Sequence, residues 1–144
     1  MKLLVEELIN ELEQEFSLVG GRIFHANGIR PYLYAHNHPS GIFTFSLIQG
    51  VDTISSVSFT ATQLYSALQT SNNFVHLVYD LEFPHVLPLK NGVYKLKLTS
   101  SGYTFNSDCF LGWVKEHEDL KFPVSPTPTS DDQNPLTFEL WEFE

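Results

Sequence analysis

Between Tyr32 and Ile48 the chain alternates apolar and polar side chains on either side of a turn, and this pattern limits its fold more than any other feature. In the run from Ile42 to Ile48, Phe43, Phe45 and Leu47 fall on one side, with Thr44 and Ser46 on the other. A period of two sets one face of an extended strand into a core and the other toward water. Tyr32 to Ala35 is a second, aromatic-rich run. Between them, His36-Asn37-His38-Pro39-Ser40-Gly41 is dense in turn formers. Pro39 fixes its own φ and lacks a donor, while Gly41 can take a positive φ. The direct reading is a hairpin with a long loop.

Further strands follow from the same logic. Arg22 to His25 is extended and turns at Ala26-Asn27-Gly28, since Asn-Gly favours the tight turns of hairpins. Arg22 to Ile48 then reads as a three-stranded meander. Ile54 to Phe59 is another short strand after Gln49-Gly50-Val51-Asp52. Phe74 to Phe83 alternates Val75, Leu77, Tyr79 and Leu81 with Phe74, His76 and Val78, and suits a central position. Pro84 and Pro88 confine His85-Val86-Leu87 to an edge. Asn91-Gly92 predicts a hairpin into Val93–Thr99, with Tyr94, Leu96 and Leu98 inward and Lys95 and Lys97 outward. Phe110 to Val114, carrying Trp113, closes the compact body.

Two segments read as helices. From Lys2 to Phe16, Leu4, Leu8, Leu12 and Phe16 recur every four residues, Val5 and Ile9 widen the stripe, and five glutamates fill the rest. Thr60 followed by Gln63 has capping-box spacing, and Leu64, Ala67 and Leu68 share a face, which predicts a short helix ending near Asn72-Asn73. The expected fold is therefore α+β: an N-terminal amphipathic helix and one short helix packed on a mainly antiparallel curved sheet or partial barrel. Residues 1–121 form a single compact domain. Residues 122–135, with Pro123, Pro126, Pro128 and Pro135, read as a proline-rich linker. Residues 136–144, LTFELWEFE, resume alternation as an aromatic-acidic strand that must pair with a sheet edge, in its own chain or swapped into a dimer.

The formal charge of −9 disfavours a phosphate backbone as partner and suits a basic protein instead. Glu7 and Glu11 on the acidic helix face, with Trp141 and Phe143 in the tail, are the candidate partner-binding residues. One cysteine, Cys109, excludes an internal disulfide and a multi-cysteine zinc site, and its apolar neighbours Phe110 and Leu111 suit a buried thiol. No apolar run approaches spanning length and the N-terminus lacks a signal-peptide layout, so a cytoplasmic protein acting on neither nucleic acid nor membrane is expected.

His36 and His38 lie two apart, so on an extended chain both imidazoles could meet one ion. The segment HNHPSG resembles the zinc-binding loop of JAMM-type metalloproteases. That resemblance implies a zinc-dependent hydrolase, with His36 and His38 as ligands and Ser46 at the position of the family's serine. Gln49 stands where the family has an aspartate ligand, and Ser17 and Leu18 occupy the positions of its activating glutamate. From the residues alone, the preferred reading of the loop is an ordinary hairpin turn whose histidines bond to water or backbone. His76 and His85 could supply a third ligand from neighbouring strands, or be a core and a surface histidine.

Three functional readings follow. The first is a non-enzymatic acidic interaction protein (an adaptor, inhibitor or accessory factor) with no cofactor. The second is the zinc hydrolase. The third is a ligand-binding barrel lined by Phe43, Phe45, Tyr79 and Tyr94.

Overall fold

The computed structural model of the chain describes residues 5–37, 39–64, 77–78, 80–115, 124–125 and 135–142. They form two sheets, nearly all antiparallel, and among them no helix reaches seven residues. The α+β expectation is thus corrected to an all-β sandwich. The smaller sheet has the order β2 (Leu12–Leu18), β8 (Gly92–Ser101), β4 (Ile42–Gln49), β5 (Asp52–Thr60). The larger sheet is built around the thirteen-residue β3 (Phe24–His36). On one side of β3 lie β6 (Leu77–Val78) and β7 (Leu81–Leu89); on the other lie β9 (Phe110–Val114) and β11 (Phe138–Glu142). Two short strands flank these, β1 (Val5–Glu7) against β9 and β10 (Val124–Ser125) parallel to β11.

The expected N-terminal helix is two strands, in different sheets. A four-residue apolar spacing satisfies a period of two as well as one of 3.6, so Leu8, Leu12 and Phe16 fit both. In β2, Leu12, Gln14, Phe16 and Leu18 turn inward, and Glu13 and Glu15 lie opposite Lys97 and Lys95 of β8. Glu11 meets Lys97 at 3.1 Å and Glu13 meets Lys95 at 3.7 Å. The cross-strand lysines, not a helix, explain why the acids recur where they do.

Tyr32–Ala35 and Ile42–Ile48 are strands as expected, but they do not form a hairpin. β3 and β4 belong to different sheets, with a corner between them. Asn37 and Gly41 both take positive φ there, 60° and 126°. The Asn27-Gly28 turn is likewise absent, because β3 runs straight through it with a bulge against β7. Gly28 serves close approach instead: a Cβ at this position would lie 2.4 Å from the Trp141 ring and 2.3 Å from the Leu81 carbonyl oxygen. Asn91-Gly92 also changes sheets, from β7 to β8, rather than closing a paired hairpin. The strand after it faces as expected, with Tyr94, Leu96 and Leu98 at most 2% exposed.

The capping box at Thr60 is present. Thr60 N donates to Gln63 Oε1 at 2.8 Å and Gln63 N to Thr60 Oγ1 at 3.1 Å, opening a helical turn over residues 61–64. Its expected continuation to Asn72-Asn73 lies outside the described residues, as do His38, His76, Tyr79 and Phe143.

β9 and β11 lie end to end along β3. Residues 110–113 pair with His36 back to Leu33, and residues 138–142 continue along Pro31 back to Ala26. One virtual strand is interrupted by the proline-rich segment and then resumed. Thr137 seals the join: its N–H and hydroxyl donate to Val114 O, while its carbonyl accepts the Trp113 indole N–H at 2.6 Å. The tail therefore docks within its own chain, with Leu136, Phe138 and Leu140 in the core. Phe45 meets Trp113 edge to face at 5.1 Å and Phe16 meets Phe138 at 5.3 Å, which joins the inner faces of the two sheets. Each such fully buried ring contributes about 1.5–3 kcal/mol relative to exposure.

Candidate functional site

The inner face of β3 is set by Ile29, Leu33 and Ala35, which pack in the core. Alternation then puts Gly28, Arg30, Tyr32, Tyr34 and His36 on the outer face of the larger sheet. Glu139 and Trp141 join them from β11, alternating with buried Phe138 and Leu140. Phe110 and Gly112 join from β9, opposite His36 and Tyr34. The result is a row of aromatic, guanidinium and carboxylate groups along the long strand.

At one end of this row Arg30 is held by two acids. Its Nε and an Asp80 oxygen are 2.5 Å apart, and its Nη1 reaches Glu139 at 3.1 Å. The guanidinium also stands over the Trp141 ring, 5.8 Å from the centroid. The hydrogen bond to Asp80 is the main reason that the Arg30 pKa is raised further. Tyr32 donates its hydroxyl to Glu139 Oε1 at 3.2 Å. Burial, then the neighbouring Glu139 carboxylate, pushes the phenol up to about 12, so it stays a neutral donor at any physiological pH. Glu82 adds a third acid to this side of the sheet, exposed on β7 opposite Gly28. Farther along, Arg22 grips Glu142 through two bonds of 2.7 and 2.6 Å, and this pairing holds the Glu142 carboxyl below the usual range.

At the other end His36 sits half-buried between Tyr34 and Phe110, whose ring centroids lie 6.2 and 5.2 Å away. The Tyr34 hydroxyl and His36 Nδ1 are 3.3 Å apart. Among the described residues no three metal-ligating side chains come together. The other positions of the metalloprotease-like pattern do not gather around His36. Ser46 lies on the outer face of the opposite sheet, bonded to Ser56 at 2.9 Å. Gln49 lies at the far end of β4, roughly 26 Å of strand from the corner at Gly41.

Of the candidate ligand-binding residues, Phe43, Phe45 and Tyr94 are buried and pack on protein. Phe43 meets Phe59 and Tyr103, Phe45 meets Trp113, and Tyr94 stacks on Phe16 while its hydroxyl donates to Lys90 O at 2.6 Å. Of the candidate partner-binding residues, Glu7 and Glu11 do not share a face. Glu7 ends β1 in the larger sheet, whereas Glu11 precedes β2 in the smaller and is paired with Lys97. Trp141 does lie on an outer surface, half-buried against Gly28. Arg30, Asp80, Tyr34 and Glu82 escape a search for turns and helix faces. The signal for Arg30 and Tyr34 is alternation through Gly28-Ile29-Arg30-Pro31-Tyr32-Leu33-Tyr34, read as one uninterrupted strand.

Comparison of the chain with protein-family models, with curated proteins and with solved structures finds no match.

Proposed function

We propose that this chain is a non-enzymatic interaction module that takes a basic protein segment on the outer face of its larger sheet. The observation that supports this most is the composition of the row along β3. Trp, Tyr and Arg dominate the binding energy of protein interfaces, and here Trp141, Tyr34 and Arg30 stand together on one outer face. Asp80 and Glu139 both hold the single guanidinium of Arg30, and Glu82 stands exposed on β7 opposite Gly28, which leaves local negative charge for a lysine or arginine to meet. The outer face of the smaller sheet differs in kind: Thr44 and Ser46 bond to Ser58 and Ser56, and its acids are matched by lysines.

A titration with a lysine- and arginine-rich peptide, followed by NMR, tests the reading. The Trp141 indole N–H resonance is expected to move while that of the buried Trp113 does not. Glu82→Lys should weaken binding, and Glu11→Lys on the opposite sheet should not. Equal effects of the two variants, or no movement of the Trp141 signal, would overturn the assignment.

A further inference from the structure

Three turns meet at one end of the sandwich. Residues 19–23 join β2 to β3, Gly50 and Val51 join β4 to β5, and Lys90 and Asn91 join β7 to β8. Strand register gathers them: Leu18 pairs with Gly92, Ile48 with Lys95, and Phe24 with Leu89. Turns ordinarily carry polar residues, but aliphatic ones stand in or beside these. Val51 is 98% exposed, Val19 82%, Val93 50% and Ile23 45%. Four of the seven large apolar side chains that stand exposed among the described residues are therefore at this end. Gly20, Gly21 and Gly50 take positive φ beside them, with nothing near the place of a Cβ, so the tips reach into open space.

Between the first and third of these turns lies an open hollow of about 340 Å³, lined by Gly21, Arg22, Ile23, Lys90 and Asn91. Arg22, Arg30, Lys95, Lys97 and Lys115 each meet a carboxylate. Among the described residues Lys90 is the cation that does not, and it faces this hollow. A chain with a surplus of acids thus sets this ammonium, the one left without a carboxylate among the described residues, beside a cluster of solvent-exposed valines.

We propose that this end docks on a phospholipid surface, with Val19, Val51 and Val93 entering the headgroup layer and Lys90, beside Arg22, taking a lipid phosphate in the hollow. Aliphatic side chains on separate turn tips do not make the continuous flat patch that a protein partner covers, whereas each can enter a fluid interface by itself. The Lys90 ammonium, on the turn between β7 and β8, borders the hollow and can meet a lipid phosphate there. The formal charge of −9 repels an anionic membrane at long range, so the surface recognised is zwitterionic.

Flotation of the full chain with phosphatidylcholine vesicles tests this. The protein is expected to float with the vesicles, and less well when anionic lipid is mixed in. The double variant Val19→Asp, Val51→Asp should lose about tenfold or more of the binding, and Lys90→Gln several-fold. All three positions are exposed, and an unchanged thermal melt confirms that the variants fold. No flotation, or flotation indifferent to both changes, overturns the proposal. So does tight binding of soluble phosphocholine that the valine variants leave intact, which would mark a site for a free phosphate ester. A dimer seen by native mass that the same valine changes dissolve would make this end an interface between two copies instead.

Discussion

The side-chain carbonyl of Gln14, on β2 of the smaller sheet, accepts the backbone N–H of Leu136 at 2.9 Å, inside the core and beside the entry to β11. Gln14 is 3% exposed, and its amide nitrogen donates to Glu15 O at 3.0 Å, so the buried amide is used on both sides. Gln14→Leu keeps most of the volume and leaves the Leu136 N–H without an acceptor. A buried donor orphaned in this way costs about 1–3 kcal/mol. Urea titration should show a lower midpoint with an unchanged slope. An unchanged midpoint would mean that water reaches the Leu136 N–H and that the tie between the sheets is dispensable.

Gly28 is a second point where β11 is fixed. Because the Trp141 ring and the Leu81 carbonyl oxygen occupy the space of a Cβ, Gly28→Ala forces one of them to move. The carbonyl belongs to the paired strand β7, so the indole is the group that yields. Overpacking of this kind costs about 1–3 kcal/mol. Tryptophan emission should shift to the red as Trp141 is lifted off β3, since Trp113 is fully buried and stays so. Unaltered emission and stability would show that the ring does not rest on Gly28.

Much of the sheet is legible in local alternation, and the parts that are not have physical causes. β4 and β8 stand out because one side of each is largely apolar and the other largely polar or charged, and β9 because it is a short apolar run around Trp113. β2 escapes because Gln14 occupies a core position that alternation reserves for an apolar residue, while the four-residue spacing of Leu8, Leu12 and Phe16 imitates a helix stripe. β3 escapes because Asn27-Gly28 imitates a turn where the glycine serves the Trp141 ring. Which strands pair is settled by register across the core, as at the corner between β3 and β4, and no local pattern carries that. The same limit hid the outer row: Trp141 is visible as an aromatic in an alternating tail, but Arg30 and Asp80 acquire meaning only once β11 lies along β3.

The pairing of Glu11 with Lys97 offers a measure of how far the acids of the smaller sheet are neutralised. The two groups meet at 3.1 Å, with side chains 53% and 29% exposed. Solvent screens a pair this open, and a double-mutant cycle with Glu11→Gln and Lys97→Met should return a coupling of about 0.2–1 kcal/mol. The coupling should shrink as salt is raised. A coupling that persists in high salt would point to packing of the lysine stem rather than to charge.

The phenol of Tyr32 couples the outer row to pH. Burial, followed by the adjacent Glu139 carboxylate, raises its pKa from 10.0 to about 12 in the folded chain. The folded state therefore holds the proton more tightly than the unfolded state does. This contribution to stability is fully present below pH 10 and is lost as the pH climbs through about 12. Stability measured by urea titration should fall across that interval, and Tyr32→Phe should flatten the fall. Tyr94 and Tyr103 are also raised by burial, so the variant keeps part of the slope. The phenolate absorbance of the wild type should contain one late-ionising tyrosine that the variant lacks. If instead Tyr32→Phe left both curves unaltered, the hydroxyl could not be the donor that Glu139 accepts, and the Glu139 side chain would be held by Arg30.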